Sequence, residues 1–397
     1  MRTNGLGRLC WRSASGVRVF HLSMAWIWGW HGRRWWVVTT LLAALLVACV
    51  PQTTPLPTPT PTPEPLIPTP IRPATRTPVP TVALTPLPTS DLIPDRWRFG
   101  VGVALKDISR YDLSLLRPGW YLDWQVRVPP SDLGDVEYMP MVRVSEEGFR
   151  PAEDELLAAV DALPGATWLI GNEPDVRWQD GVTPETYARR YHTLYGLIKG
   201  RDPSAQIAIG GVSQPTALRL RYLDRVLAAY QEFYGEPMPV DVWNVHAFIL
   251  REEADSWGVG IPPGFDDRAG ELYEIDDHDD MEIFARQILG FRYWMWLHGE
   301  QDKPLIVSEY GILMPEDYGF PPERVRRFMW DSFDYFLSAR DEEIGYPEDD
   351  FRLVQRWCWY SLADTVYPTP NLFDPETLAL TPLGEAFALY LRGAVLR

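Results

Sequence analysis

Short apolar segments alternate with longer amphipathic segments along most of this chain. Eight of the short segments are mostly apolar and bounded by Gly, Pro or Asp, which is typical of strands buried on both faces. They cover residues 98–104, 120–127, 137–144, 167–172, 206–212, 240–246, 305–308 and 357–362. Strand–helix alternation predicts a parallel sheet, and eight such units predict an α/β fold closed into a (β/α)8 TIM barrel.

The predicted helices carry apolar stripes at helical spacing. One stripe includes Leu156 and Val160, and another includes Tyr187 and Leu194. Two more cover residues 284–296 and 328–337. Helices are poorly defined after the first three strands, so the first part of the predicted barrel rests on the strand pattern alone.

Two of the predicted strands end on a glutamate, Glu173 and Glu309, with the turn residues Pro174 and Gly311 close behind. A carboxylate at the tip of a buried strand is costly unless it is paired or used. The carboxyl ends of barrel strands meet at one face, so both glutamates are predicted to lie in one site. Cleavage of a glycosidic bond needs two such carboxyl groups, roughly 5–5.5 Å apart in a retaining enzyme.

The motifs around both glutamates resemble those of clan A, the retaining (β/α)8 glycoside hydrolases. These motifs are residues 172–174 and 308–311. Residues 120–124, 137–142 and 171–175 further resemble the Asl1-like glycosyl hydrolase catalytic core, glycoside hydrolase family 128. The similarity spans roughly residue 97 to the C-terminus. It departs after His246, where Ala247 and Phe248 stand in place of the aromatic pair that the family tends to carry.

The resemblance implies a role for each residue of the first motif. Glu173 is expected to be the general acid and then the general base, and Glu309 the nucleophile. Asn172 is expected to hydrogen-bond the sugar 2-hydroxyl. The alternative for residues 172–175 is a turn that caps a helix, because Asn, Pro and Asp favour turns. The alternative for Glu309 is a buried structural ion pair.

His246 and Trp359 are further candidates for contact with the sugar. His246 ends the sixth strand and is expected to hydrogen-bond the sugar or Glu309, although a lone histidine near an apolar run is usually a core residue. Period-2 alternation puts Trp359 on one face of the last strand and Cys358 and Tyr360 on the other. The resemblance makes Trp359 the sugar platform, and core packing is the alternative.

Other side chains near the strand ends complete the expected site. Trp124, with Tyr121 as its alternative, is expected to contact the sugar from the second strand. Tyr310 is expected beside the nucleophile. Arg143 is expected to steady a carboxylate, a role for which Arg127 competes.

The chain has 18 tryptophans among 397 residues, which is a high count. Aromatic faces pack against the apolar faces of sugar rings. Trp178 and Trp257 follow strand ends and are expected to line a groove. Trp294, Trp296 and Trp330 fall in helical stripes and are expected in the core.

The expected substrate is a polysaccharide or oligosaccharide, and the resemblance favours a β-1,3-glucan. A xylosidase, mannanase or galactanase of the same clan remains an alternative. So does a carbohydrate-binding surface lipoprotein without activity, although the presence of both glutamates and Asn172 argues against it.

The first 48 residues carry six arginines and no acidic residue, and end in an apolar run of about 14 residues before Cys49. This run is short of the roughly 20 residues that span a bilayer. Residues 1–48 are therefore predicted to be a lipoprotein signal peptide, with Met1 or Met24 as the start, and Cys49 its lipidated cysteine. A single transmembrane anchor is the alternative. Residues 49–95 are rich in Pro and Thr and predict an extended tether, followed by the catalytic domain at residues 96–397.

The net charge of −17, which becomes more negative without the leader arginines, argues against nucleic acid and anionic lipid as ligands. The expected location is the exported side of a bacterial membrane, held by the lipid on Cys49. Cys358 has no predicted partner, so the domain lacks a disulfide. Residues 276–280 suggest either a metal site or, more simply, the acidic start of a helix. No cofactor is expected, and the protein is expected to be a monomer.

Overall fold

The computed structural model describes residues 93–393, where the strands pair mainly in parallel. The strands are β1 (Phe99–Gly102), β2 (Trp120–Leu122), β3 (Glu137–Tyr138), β4 (Met141–Val144), β5 (Phe149–Arg150), β6 (Thr167–Asn172), β7 (Gln206–Gly211), β8 (Trp243–His246), β9 (Leu305–Tyr310) and β10 (Arg356–Trp359). The helices are α1 (Glu153–Ala162), α2 (Pro184–Arg201), α3 (Ala217–Tyr234), α4 (Met281–Leu297), α5 (Pro322–Ser338) and α6 (Pro382–Leu391).

Two sheets, in the orders β3-β2-β1-β10-β9-β8 and β5-β4-β6-β7, meet at both edges. At one edge, β3 and β4 are halves of one strand interrupted at Pro140, whose carbonyl accepts a hydrogen bond from the Leu169 amide at 2.9 Å. At the other edge, a parallel bridge between Ala208 and Val242 joins β7 to the segment leading into β8. With β3 and β4 counted together and β5 outside the ring, eight strands within residues 93–393 close in chain order. The predicted α/β barrel is confirmed.

The buried residues form two layers, one inside the barrel and one between the strands and the helices. Successive residues of a strand point to opposite faces, so each strand contributes to both layers. The inner layer fills the barrel with a small set of side chains: Trp120, Leu122, Met139, Met141, Leu169, Ala208, Val242, Ile306 and Cys358. The outer layer contains most of the aromatic residues that contact the helices. The polar side chains of Asn172, His246 and Glu309 lie beyond this inner layer, at or near the C-terminal ends of their strands.

The helices end and begin where local chemistry favours it. The Thr183 side chain accepts the Thr186 amide at the start of α2, and Pro184 occupies the first turn. Helix α3 ends at Gly235, whose φ of +76° suits glycine. The sequence analysis did not identify α3, although apolar side chains recur along it at helical spacing. Between β1 and β2 the described chain forms only a short 3-10 turn, Ile108–Arg110, which explains the weak periodicity there.

Several predictions concern residues outside the described range. The predicted signal peptide at residues 1–48, the lipidated Cys49 and the tether up to residue 92 all lie there. Among residues 93–393, no helix is long and apolar enough to cross a bilayer. Cys358 is buried and free, so the described chain contains no disulfide.

Candidate active site

An open cleft of about 1120 Å³ lies at the C-terminal ends of the barrel strands. Loops after most of the strands line it, and both Glu173 and Glu309 reach it. This is the face at which enzymes of this barrel architecture place their sites. The two glutamates that were predicted to meet there do so.

Glu173 follows β6 directly and is held in an unusual backbone conformation. Its φ is +45°, in the left-handed region that a non-glycine residue rarely adopts. Its amide donates to the Gly211 carbonyl at 3.0 Å, which fixes the turn against β7. The side chain is only 6% exposed, and its Oε1 lies 3.0 Å from His246 Nδ1. Strain of this kind persists where surrounding structure enforces it, and it clusters at functional sites.

Glu309 lies near the end of β9 and has a different set of contacts. It is 9% exposed. The Trp124 indole donates its Nε1–H to Glu309 Oε2 at 2.8 Å. His246 Nε2 lies 4.0 Å from the same oxygen. Burial raises the pKa of Glu309 to about 7, and Glu173 adds to this, while His246 and the Trp124 hydrogen bond oppose it.

His246 stands between the two carboxyl groups and is wholly buried. One ring nitrogen of His246 and one carboxyl oxygen each of Glu173 and Glu309 all lie within 4.8 Å of one another. The two glutamates are thus close enough for both to contact one bound group. A Cβ at Gly211 would lie 2.5 Å from the His246 ring, so glycine is needed there for the imidazole to fit.

The two carboxyl groups act on His246 together. Burial alone would lower the pKa of His246, but the charges of Glu309 and Glu173 and the hydrogen bond to Glu173 raise it overall. The hydrogen bond from Trp124 favours the ionised form of Glu309. His246 therefore links the two carboxyl groups, with one ring nitrogen toward each.

Asn172 is positioned by the turn after β6. Its amide donates to Asp180 Oδ2 at 2.8 Å, and its side-chain nitrogen donates to Gln179 Oε1 at 3.3 Å. Its side-chain oxygen is buried without a hydrogen-bond partner. Arg143 lines the cleft, but its Nε donates to Asp180 at 2.6 Å. The carboxylate that Arg143 contacts is therefore Asp180, which in turn fixes Asn172. The charge of Arg143 also acts to lower the pKa of Glu309.

The prediction that Trp359 is the sugar platform is wrong. Trp359 is wholly buried on the outer face of β10, where its Nε1–H donates to the Pro370 carbonyl at 2.9 Å. Tyr310 is also wholly buried outside the barrel, with its ring centroid 5.4 Å from that of Trp359, so the predicted contact beside the nucleophile is wrong as well. The alternation along β10 is as predicted, but Cys358 faces the barrel interior and Tyr360 the cleft.

Of the two aromatic candidates on the second strand, one lines the cleft and the other is buried. Trp124 lines the cleft, whereas Tyr121 is wholly buried against Tyr138. Arg127 pairs with Asp123 at 2.9 Å.

The groove tryptophans Trp178 and Trp257 both line the cleft, as predicted. Trp294 is buried in the core, while Trp296 and Trp330 are partly buried against it.

Sequence reasoning missed Tyr360, Gln179 and Asp180. For Tyr360 the alternation along β10 was the available signal, since it paired this residue with Cys358. Gln179 and Asp180 carry no local signal, because their role depends on Arg143 and Asn172 reaching the same turn.

The acidic segment at residues 276–280 caps a helix. Asp280 accepts the amides of Glu282 and Ile283, at 2.8 and 3.0 Å, at the start of α4. His278 Nε2 accepts the Leu313 amide at 2.9 Å, and its Nδ1 lies 2.8 Å from the Ile249 carbonyl. Burial lowers the pKa of His278 to about 4. Both ring nitrogens of His278 are occupied, so the helix-start interpretation is the one that the contacts support.

Comparisons with known proteins bear on the fold. No family model matches the sequence, and no curated protein matches it. The crystal structure of a family 128 (subgroup II) endo-β-1,3-glucanase from Pseudomonas viridiflava aligns with a TM-score of 0.50 at 20% identity, covering 73% of this chain and 96% of that chain. This chain shares its fold. The resemblance inferred from the motifs is thereby confirmed at the level of the fold.

Two further family 128 structures align over most of their length. One is a subgroup III curdlan-specific exo-β-1,3-glucanase from Blastomyces gilchristii in complex with glucose, with a TM-score of 0.49 and 19% identity over 75% of this chain and 99% of that chain. The other is a subgroup VII oligosaccharide-binding protein from Cryptococcus neoformans, with a TM-score of 0.48 and 16% identity over 76% and 96% of the two chains.

Proposed function

We propose that this protein is a glycoside hydrolase of family 128 type that cleaves a polysaccharide by a retaining double displacement. One observation carries the proposal. Glu173 and Glu309 lie at the ends of two barrel strands in an open cleft. A carboxyl oxygen of one lies within 4.8 Å of a carboxyl oxygen of the other, and His246 lies between them. A buried structural ion pair would leave the left-handed backbone of Glu173 and the cleft around it without an account.

In the first step, a carboxylate oxygen of Glu309 attacks the anomeric carbon while Glu173 gives its proton to the leaving oxygen. The bond from the anomeric carbon to that oxygen breaks, and a covalent glycosyl ester with Glu309 forms. The Trp124 N–H favours the ionised form of Glu309 and orients its carboxylate. Asn172, with its unpaired side-chain oxygen in the buried wall, would accept a hydrogen bond from the sugar 2-hydroxyl.

In the second step, Glu173 acts as a base. It takes a proton from water, the water oxygen attacks the anomeric carbon, and Glu309 leaves as the carboxylate. His246 supports both steps, because it can accept a hydrogen bond from protonated Glu173 and donate one to the ionised form. The sugar keeps its anomeric configuration after two inversions.

The proposed substrate is a neutral glycan, with a β-1,3-glucan as the specific proposal. Three basic residues line the cleft, and each already has a partner: Arg127 pairs with Asp123, Arg143 pairs with Asp180, and Lys106 donates to the Pro375 carbonyl. The choice of β-1,3-glucan is supported by the motif resemblance and by the fold shared with an endo-β-1,3-glucanase. The clan A alternatives are a xylosidase, mannanase or galactanase.

The proposal extends to the location of the enzyme. The basic leader, the short apolar run and Cys49 support export and lipid anchoring, and the segment up to residue 95 would hold the domain away from the membrane. Mass spectrometry of membrane-extracted protein tests this. An acylated Cys49 at the mature N-terminus is expected, and residues before Cys49 or a free thiol there would contradict the anchor.

The activity is tested by incubating the full-length protein with a panel of polysaccharides, including β-1,3-glucan, xylan, mannan and galactan. Proton NMR of the first products then reads the anomeric configuration. Release of sugars with retained configuration is expected, and from β-1,3-glucan first. Inverted products would reject the mechanism. Binding without release of any sugar would favour the non-catalytic carbohydrate-binding alternative.

A further inference from the structure

Two tryptophans offer aromatic surface in the cleft without a role in the mechanism above. Trp178 lies in the turn after β6 and is 63% exposed. Trp257 lies in the loop between β8 and α4 and is half-buried. The flat faces of these indoles suit the apolar face of a pyranose ring.

A buried ion network locks the two loops together. Arg219, Asp175 and Glu252 are all wholly buried. Arg219 Nε donates to Asp175 Oδ2 at 3.0 Å, in the turn that carries Trp178. Its Nη1 lies 3.2 Å from Glu252 Oε1, in the loop that carries Trp257.

The same guanidinium also holds the backbone of the second loop. Arg219 Nη2 donates to the Gly260 carbonyl at 3.0 Å and to that of Val259 at 3.3 Å. Trp178 lies over this backbone, since a Cβ on Gly260 would be 3.8 Å from Trp178 Cη2. The buried Arg219 therefore holds in place the loop backbone over which the Trp178 indole lies.

The position of these loops indicates which sugar they would meet. In the first displacement, Glu309 attacks from the face opposite the leaving oxygen, so the leaving sugar departs on the side of Glu173. Trp178 and Trp257 lie on loops that follow β6 and β8, the strands that carry Glu173 and His246. Among the other aromatic residues that line the cleft, Trp124 and Tyr360 pack against each other, with ring centroids 5.6 Å apart, beside Glu309.

We propose that Trp178 and Trp257 form a platform for the first pyranose ring on the leaving-group side, held by the ion network of Arg219, Asp175 and Glu252. The proposal rests on the proposed function for its assignment of sides. It makes Trp178 a specificity-determining residue, because a substrate with a sugar as leaving group uses the platform and one with a small leaving group does not.

The test compares two substrates in the full-length protein and in Trp178→Ala. Laminarihexaose has a sugar as leaving group, whereas β-laminaribiosyl fluoride has a leaving group without a ring. Loss of one aromatic contact is expected to lower kcat/KM for laminarihexaose by about threefold to tenfold. The value for the fluoride should change by less than about twofold on the same reasoning. Trp257→Ala should act in the same direction.

Trp97→Ala is the matched control. Trp97 is 45% exposed and does not line the cleft, so neither substrate should be affected. Circular dichroism of each variant confirms that it is folded. If Trp178→Ala lowers both substrates equally, or leaves laminarihexaose unchanged, the platform is rejected.

The platform can be separated from the hydrolytic function. If the wild-type protein cleaves neither substrate, the proposed function fails, and quenching of tryptophan fluorescence by laminarihexaose then reads binding alone. Weaker binding by Trp178→Ala than by Trp97→Ala would support the platform. Equal binding, or none in the wild type, would overturn it.

Discussion

Glu173 and Glu309 lie in the same cleft and differ in what surrounds them. Glu173 has a strained backbone and a hydrogen bond with His246 Nδ1. Glu309 lies in β9 where its pairing with β8 and β10 shifts register. It accepts an indole N–H from Trp124 and has His246 at the longer distance of 4.0 Å. A donated N–H favours an ionised carboxylate, while a neutral imidazole nitrogen can accept from a protonated carboxyl. Two residues of the same type thus have different backbone conformations and different hydrogen-bond partners.

The raised pKa of Glu309 makes the expected activity depend on pH. Glu309 must be ionised to attack the anomeric carbon, so it has to lose its proton before the first step. Burial raises the pKa of Glu309 to about 7. The value of kcat/KM is therefore expected to rise as the pH rises through about 7, and a pH profile of kcat/KM measures this.

The largest expected effect comes from Glu309→Ala, which removes the nucleophile. Because no glycosyl-enzyme can form, kcat/KM should fall by about 10⁴-fold or more on every substrate. Initial rates on β-1,3-glucan and on an aryl β-glycoside measure this. Glu300→Ala is a matched control, because Glu300 also accepts an indole N–H, from Trp243 at 3.0 Å, but lies outside the cleft. Comparable losses in both variants would exclude a specific role.

Glu173→Ala should lower the rate on β-1,3-glucan by about 10²- to 10⁴-fold, because the leaving sugar is no longer protonated. The reduction in the rate of the first step should be smaller on an aryl glycoside with a good leaving group, because that group departs without a proton. Added azide needs no deprotonation, so it should restore the second step and give a β-glycosyl azide. Rescue of Glu309→Ala instead, with an inverted azide, would exchange the two assignments.

His246→Asn tests which glutamate the histidine serves. Loss of a hydrogen bond to a charged or acidic partner should lower kcat/KM by roughly tenfold to a hundredfold. If His246 acts through Glu173, the loss is larger for substrates with poor leaving groups. His192→Asn is the control, since His192 contacts Tyr230 at 2.9 Å and does not line the cleft. Equal losses for good and poor leaving groups would shift the role to Glu309.

Trp124→Phe should have the smallest effect, about tenfold on kcat/KM. The indole hydrogen bond lowers the pKa of Glu309, so its loss raises that pKa and leaves less of the nucleophile ionised. The acid limb of the pH profile of kcat/KM should move to higher pH. Trp330→Phe is the control, because its N–H donates to the Ala386 carbonyl at 3.2 Å, outside the cleft. An unchanged acid limb would contradict the role of the indole.

Much of the site could be predicted from local sequence. A buried strand that ends in a carboxylate is visible in six or seven neighbouring residues, and parallel strands in a barrel necessarily present their ends to one face. Glu173, Glu309 and His246 were found from their positions at strand ends, and Asn172 through the motif resemblance. The groove residues Trp178 and Trp257 were found because loops after strand ends line that face.

Side-chain direction relative to the closed barrel could not be predicted in the same way. Alternation along β10 separates Trp359 from Tyr360, but it does not say which of them points inward. That depends on how the sheet curves and on the neighbours that each side chain meets, here Tyr310 outside and Trp124 in the cleft. The resemblance favoured Trp359 as the residue that faces the sugar, whereas in the structure Tyr360 lines the cleft and Trp359 is buried.

The sequence by itself determined the order of strands, the positions of both glutamates and the face on which they meet, because each follows from residues close together in the chain. Tertiary structure decided the partner of each group. Trp124 reaches Glu309 across 185 residues of sequence, and Arg98 reaches Asp349 across 251. Such contacts depend on the closure of the barrel, where burial and hydrogen bonding act between segments with no common local pattern.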